Sequence, residues 1–213
     1  MQYLWLLDRG FSNCMNTAPN ELRTLGNVGL LQLPKTAFLC SRAYPEAVER
    51  PTYRWALEQR YQQHCVLSGF HSQLEQAVFR YLLQGPRQPI VYALGRGLQS
   101  NVRVEYGPEI AAGRLLFLTP FEPTVRTITA ETADLRNLLV ADLADEFFVP
   151  YLTPGGKLEQ LLAHPLAQGK PVVTLDLPCN RPLLQRGAQV WRPAGVLGRM
   201  PGGPVGLASS ATP

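Results

Sequence analysis

The chain has 213 residues, 46% of them hydrophobic and 17% charged, with 18 Gly, 19 Pro and a formal net charge of +4. That length suits one α/β domain, whose core buries about 70% of the unfolded surface. Frequent apolar runs and modest charge exclude wholesale disorder, and no window of about 20 residues is free of charge and breakers, as a membrane span requires.

The start, Met1 to Asp8, has an apolar patch but no basic leader or small-residue cleavage site, so a cytoplasmic protein is expected. Residues 1–35 are broken repeatedly by Asn13, Asn16, Pro19, Asn20, Gly26 and Pro34. They read as an irregular arm that packs through Leu30, Leu31 and Leu33. From Thr36 the pattern alternates. Thr36–Cys40 reads as a strand. Arg50–Gln63 reads as a helix with Tyr53, Leu57 and Tyr61 at helical spacing, broadened by Trp55 and Ala56. His64–Leu67 is a strand, Gln73–Leu83 an amphipathic helix, and Pro89–Leu94 and Arg114–Leu118 are strands. Ala130–Ala144 is a helix, Glu146–Val149 a strand, Gly156–Ala163 a helix and Pro171–Leu175 a strand. A short helical turn over Arg181–Arg186 precedes Ala188–Trp191. Residues 192–213 hold five Gly and four Pro without an aromatic residue, the composition of a flexible tail.

Strands alternating with helices imply βαβ units, hence a Rossmann-like three-layer α/β fold with a mainly parallel sheet over residues 36–191. Continuous apolar strands fit a sheet covered on both faces. In such sheets ligands bind beyond the carboxyl ends of the strands, near helix N-termini. The residues placed there are Ser41 and Arg42; Ser68, Gly69, His71 and Ser72; Gly95 and Arg96; and Pro154, Gly155 and Gly156. Small residues at such turns expose backbone N–H groups, so three turns with two arginines form a candidate phosphate cradle. Each turn alone also fits ordinary turn and N-cap use. There is no GxGxxG after a strand and no GxxxxGK[ST], so ordinary dinucleotide and Walker sites are not expected.

The charge adds to this. It comes from 17 Arg against 3 Lys, and Arg pairs bidentately with phosphate. A GC-rich coding sequence produces the same bias without any function. Eight Arg face four Glu over residues 42–103, whereas residues 128–146 hold one Arg and five acids, which suggests one basic and one acidic flank. The one arginine of the acidic stretch, Arg136, is followed by Asn137 among Leu135, Leu138, Leu139, Val140 and Leu143. A buried Arg costs several kcal/mol unless paired, so the pair is expected at the rim of the anion pocket, with Asn137 holding a loop. The alternative is a clamp on the carbonyls of residues 154–156. Cys14, Cys40, Cys65 and Cys179 form no CxxC pair, and His64, His71 and His164 are scattered. Neither a metal nor another cofactor is expected, and no catalytic residue is assigned.

The order of these motifs resembles the DNA-processing protein A (DprA/Smf) family, within the wider group that includes the nucleotide phosphoribohydrolases. The matching segments are Cys40-Ser41-Arg42, Ser68-Gly69-Phe70-His71-Ser72, Ala93-Leu94-Gly95-Arg96-Gly97-Leu98, Leu135-Arg136-Asn137-Leu138-Leu139, Pro154-Gly155-Gly156-Lys157-Leu158 and Asn180 to Ala188. They depart from the family at Cys40, where it has Gly, and at Gly155-Gly156-Lys157-Leu158, where it has Ser-Gly-Ser-Leu. The resemblance implies a non-catalytic accessory protein that binds single-stranded DNA or nucleotide phosphates, with a recombinase as a further partner and a homodimeric state. Trp55, Tyr53 and Tyr106 are the exposed aromatic candidates for self-association. A sensor of a nucleotide-derived signal and a phosphoribohydrolase-like enzyme remain the alternatives. Against the enzyme, Leu162 stands where that branch carries its catalytic Glu.

Overall fold

A computed structural model describes residues 22–195. Eight strands form one sheet: β1 (Arg23–Gly26), β2 (Lys35–Phe38), β3 (Cys65–Ser68), β4 (Ile90–Ala93), β5 (Leu115–Thr119), β6 (Glu146–Phe148), β7 (Val172–Thr174) and β8 (Gln189–Val190). Their order is β1-β5-β4-β3-β2-β6-β7-β8. All neighbours are parallel except β1, which runs antiparallel to β5. The mainly parallel Rossmann-like sheet is therefore as expected.

Alternate side chains of each strand serve opposite layers, as a period of two requires. Phe38, Val66, Ile90, Phe117 and Phe148 pack with α1 (Glu49–Gln62) and α2 (Gln73–Leu83). Ala37, Leu67, Val91, Leu116 and Phe147 pack with α5 (Ala130–Leu143), α6 (Lys157–Ala167) and α7 (Arg181–Gln185). Two short helices, α3 (Ser100–Glu105) and α4 (Gly107–Ala111), lie between β4 and β5. These two escape the sequence reading because six and five residues are too few to show a helical period. Helix α6 runs through Pro165 to Ala167, four residues beyond its expected end.

The described part of residues 1–35 is not irregular. Residues 23–26 pair with β5, and Val28–Gln32 forms a 3-10 turn capped by Asn27. Leu30 is buried and Leu31 packs beside it, but Leu33 is exposed. Residues 1–21, including Cys14, and 196–213, most of the expected tail, lie outside the described residues. Among the described residues no helix is long and apolar enough to cross a membrane.

One further correction concerns α1. Its buried residues are Thr52, Trp55, Ala56, Glu58 and Gln59, so Trp55 and Ala56 lie on the core face as expected, whereas Tyr53, Leu57 and Tyr61 lie beside it. Trp55 is 3% exposed and stacks on Phe148 at 4.2 Å, so it offers no surface for self-association. Tyr106 is likewise drawn into ring contacts with Phe79 and Phe117.

Candidate functional site at the carboxyl edge of the sheet

The sheet order places the site. From β2 the chain steps outward through β3, β4 and β5, then returns across α5 to β6 on the other side of β2. The order reverses between β2 and β6, and a crevice opens beyond their carboxyl ends at such a reversal. Ser41 closes it from within: its Oγ accepts a 2.8 Å hydrogen bond from the Thr153 amide, and its own amide donates to the Tyr151 carbonyl at 3.1 Å. Asn180 braces the same loop, donating to the carbonyls of Pro150 and Leu175. The Asn of the last motif is thus a clamp on backbone.

The next loop is held by Glu75, a buried carboxylate in the first turn of α2. One oxygen accepts from the Cys40 amide at 3.0 Å, and the other from the amides of His71 and Ser72 at 2.7 and 2.9 Å. Ser72 completes a capping box with Glu75. A second carboxylate does the same at residues 154–156. Gly155 adopts φ +72°, a left-handed conformation that Gly tolerates best. Its amide donates 2.6 Å to Glu159 Oε2, while Glu159 Oε1 pairs with Arg186 at 2.5 Å. The amides of His71, Ser72 and Gly155 are therefore occupied from inside the protein. These three amides offer an anion nothing; side chains beside them do.

Those side chains are arginines. Arg136 falls on the buried stripe of α5 with Ala133 and Val140, and is 4% exposed. Its guanidinium lies against Gly69, where an added Cβ would come within 2.6 Å of Cζ, and its Nη1 faces Gly95. Close approach of this kind explains why residue 69 carries no side chain. Nε and Nη2 both donate to Asn137 Oδ1, at 3.2 and 2.9 Å. Asn137 therefore serves its neighbour and not a loop, and Arg136 makes no bond to the carbonyls of 154–156. No acid pairs with Arg136 among the described residues. Asp134 is taken by Lys157 at 2.5 Å, and Glu75 spends its oxygens on amides. Burial pulls the Arg136 pKa down, Glu75 and Tyr92 oppose that, and Arg42 adds to it.

Arg42 is exposed, and its Nη2 donates 2.9 Å to His71 Nε2, which makes His71 a neutral ring with its proton on Nδ1. Burial first, then Arg136 and Arg42, hold the His71 pKa below its ordinary value. Arg96 is half-buried, and its carbonyl accepts from Thr119 Oγ1 at 2.8 Å. Burial raises the Tyr92 pKa, while the charges of Arg136 and Arg96 lower it. Tyr92, one residue before the end of β4, thus feels both arginines, while its ring packs against Phe70, Phe79 and Phe117. Sequence reasoning missed Tyr92, although a tyrosine next to the last position of a buried strand is the signal that could have found it.

The fold is that of DNA-processing protein A. The structure superposes on DNA-processing protein A from Helicobacter pylori, a protein with its own mode of single-stranded DNA binding, with a TM-score of 0.66 and 20% identity, over 83% of this chain and 84% of that one. DprA from Streptococcus pneumoniae gives 0.65 and 18%, over 80% of this chain and 62% of that one. A molybdenum cofactor binding protein from Rippkaea orientalis gives 0.52 and 12%, over 76% and 90%. No family model matches the sequence, and no curated protein matches it. In this DprA-like sheet the motif residues Ser41, Arg42, Gly69, His71, Gly95 and Arg136 lie along one edge. Gly155 and Gly156 turn inward on Glu159 and on the Thr153 carbonyl.

Proposed function

We propose that the chain is a DprA-like accessory DNA-processing protein that holds the phosphates of single-stranded DNA at this edge, without catalysis. One observation carries the reading. Arg136 is buried, faces Gly69 and Gly95, and has no acid partner among the described residues, with Arg42 and Arg96 on the same edge. A buried guanidinium is stable when an anion completes its shell, and a phosphate accepts from it bidentately. The resemblance to DprA agrees, as does single-stranded DNA binding by the H. pylori protein of the same fold. A recombinase partner, a homodimer and a cytoplasmic setting extend the same reading.

A second reading is a sensor that encloses one nucleotide-like phosphate, favoured by the burial of Arg136 and by the likeness to a cofactor-binding protein. A phosphoribohydrolase-like activity is less well served. Leu162 is buried in the core, and Glu159 is committed to Gly155 and Arg186. The deciding experiment measures fluorescence polarisation of labelled oligo-dT over a salt series, beside a thermal-shift screen of nucleotides. The expected result is tight binding with log affinity falling by about 0.7 per phosphate contact against log salt. A nucleotide-induced thermal shift without oligonucleotide binding would establish the sensor instead.

A further inference from the structure

Helix α1 has a second stripe that the core does not use. Tyr53 is 36% exposed and Tyr61 64%, with Leu57 half-buried between them. Helix α2 brings Tyr81 alongside: the Tyr53 and Tyr81 rings meet edge-on at 6.3 Å, and the Arg60 guanidinium lies 4.6 Å above the Tyr81 ring. Arg50 and Arg54 flank Tyr53, and the exposed Arg80 flanks Tyr81. Among the described residues none of these four arginines forms an ion pair. The acids of the two helices are engaged elsewhere. Glu58 is buried and accepts from the Ala194 amide, Glu75 holds the site loop, and Glu49 accepts from the Tyr44 hydroxyl.

An ordinary solvated helix face mixes both signs of charge. This one interleaves tyrosines with unpaired arginines, which supplies the two things a single strand needs: flat rings for bases and guanidinium groups for phosphates. The face also starts at the carboxyl edge, because α1 and α2 follow the loops that leave β2 and β3 there. Arg50 in the first turn of α1 is eight residues from Arg42. We infer that the outer face of α1 and α2 is a second contact surface for single-stranded nucleic acid, on which bases stack on Tyr53 and Tyr61 while Arg54, Arg60 and Arg80 meet phosphates. The inference rests on the edge binding proposed above and extends it along about 21 Å of helix.

The test uses the full chain and two labelled oligo-dT probes, of about six and about 24 nucleotides, within the range of single-strand site sizes. The wild type is expected to bind the longer probe more tightly. Tyr53→Ala with Tyr61→Ala weakens the long probe about tenfold or more, leaves the short probe unchanged and leaves the salt slope unchanged. Arg54→Gln with Arg60→Gln lowers that slope by about 0.7 for each phosphate released. Tyr61→Ala alone, at the most exposed of the three tyrosines, gives a smaller loss of the same kind and guards against a folding artefact in the double variant, which circular dichroism also checks. Equal affinity for both probes, or a long-probe affinity untouched by the tyrosine changes, overturns the inference while the edge site stands. A shift in oligomeric state by light scattering without loss of affinity also overturns it and assigns the face to a second copy of the chain. If neither probe binds the wild type, the edge reading falls first and takes this one with it.

Discussion

The two edges of the sheet treat their cations differently. At the amino edge, Lys35 is buried, and its Nζ donates to the carbonyls of Leu31 and Leu33 and to Asp145, at 3.1, 2.8 and 3.1 Å. Lys170 gives its Nζ protons to the carbonyls of Ala141, Asp142 and Ala144 at the end of α5. An ammonium has three donors, so both groups are used up by the fold. At the carboxyl edge Lys157 and Arg186 are also paired, with Asp134 and Glu159, but Arg136 bonds only Asn137 Oδ1 and Arg42 donates to a neutral histidine, with no acid on either among the described residues. Cations that complete the fold carry their own acceptors. Cations poised for an external anion do not, and that contrast points to where the ligand goes.

The largest effect expected from breaking this contrast is on binding. Arg136→Met should weaken oligo-dT binding by about 10- to 100-fold, the value of one or two charged hydrogen bonds. The melting temperature should hold or rise, because removing an unpaired buried charge is neutral or stabilising. Parallel polarisation and calorimetry decide it. A large fall in melting temperature with unchanged binding would make Arg136 a part of the fold, like the lysines.

Lys170→Met should behave in the opposite way. Three carbonyls at the end of α5 lose a charged donor, so stability should drop by about 1–3 kcal/mol. In a domain of this size that is a fall of about 2–4 °C in melting temperature per kcal/mol. Oligonucleotide affinity at saturating folded fraction should not move. A loss of affinity larger than the loss of folded protein would erase the distinction between the two edges.

The sequence disclosed the strands and long helices because they are continuous apolar runs or strongly periodic, as in β3, β4 and α2. It disclosed the edge residues because a parallel sheet places its ligands after its strands, a rule that needs only strand positions. Beyond α3, α4 and Tyr92, three things were not legible. β1 is four residues recruited to the sheet by pairing with β5, a contact almost a hundred residues away. The core face of α1 was legible at Trp55 and Ala56 but not at Tyr53, Leu57 and Tyr61, because Tyr and Trp both count as apolar until packing separates them. The filling of the loop amides by Glu75 and Glu159 was also hidden, because a carboxylate in the first turn of a helix fits the dipole equally well whether its oxygens face solvent or the preceding loop.

The smallest expected effect sharpens the comparison at its most sensitive point, His71. In the free protein, burial together with Arg136 and Arg42 opposes a charge on this ring, and Glu75 offsets them only in part. The folded pKa therefore lies below the unfolded value of about 6.5. As pH falls through that region the unfolded chain binds a proton before the folded one, so the contribution of His71 to stability is complete above about pH 6.5 and is lost below it. A phosphate seated against Arg42 and Arg136 reverses the local balance: it screens the two guanidinium groups and favours a third cation. The pKa of His71 then rises on binding, binding takes up a proton, and affinity must increase as pH falls between the bound and free values. One partly exposed ring should give about a two- to threefold gain in oligo-dT affinity between about pH 7.5 and 5.5, against a ceiling of tenfold per unit of pKa difference. His71→Gln should flatten the profile while keeping the neutral-pH affinity within about twofold, because glutamine carbonyl oxygen still accepts from Arg42. Every other residue is unchanged in that variant, which therefore controls for any general effect of acid on the protein. A profile with the same slope in both proteins would separate His71 from the ligand, and an affinity that falls with acid in the wild type alone would place the phosphate away from Arg42.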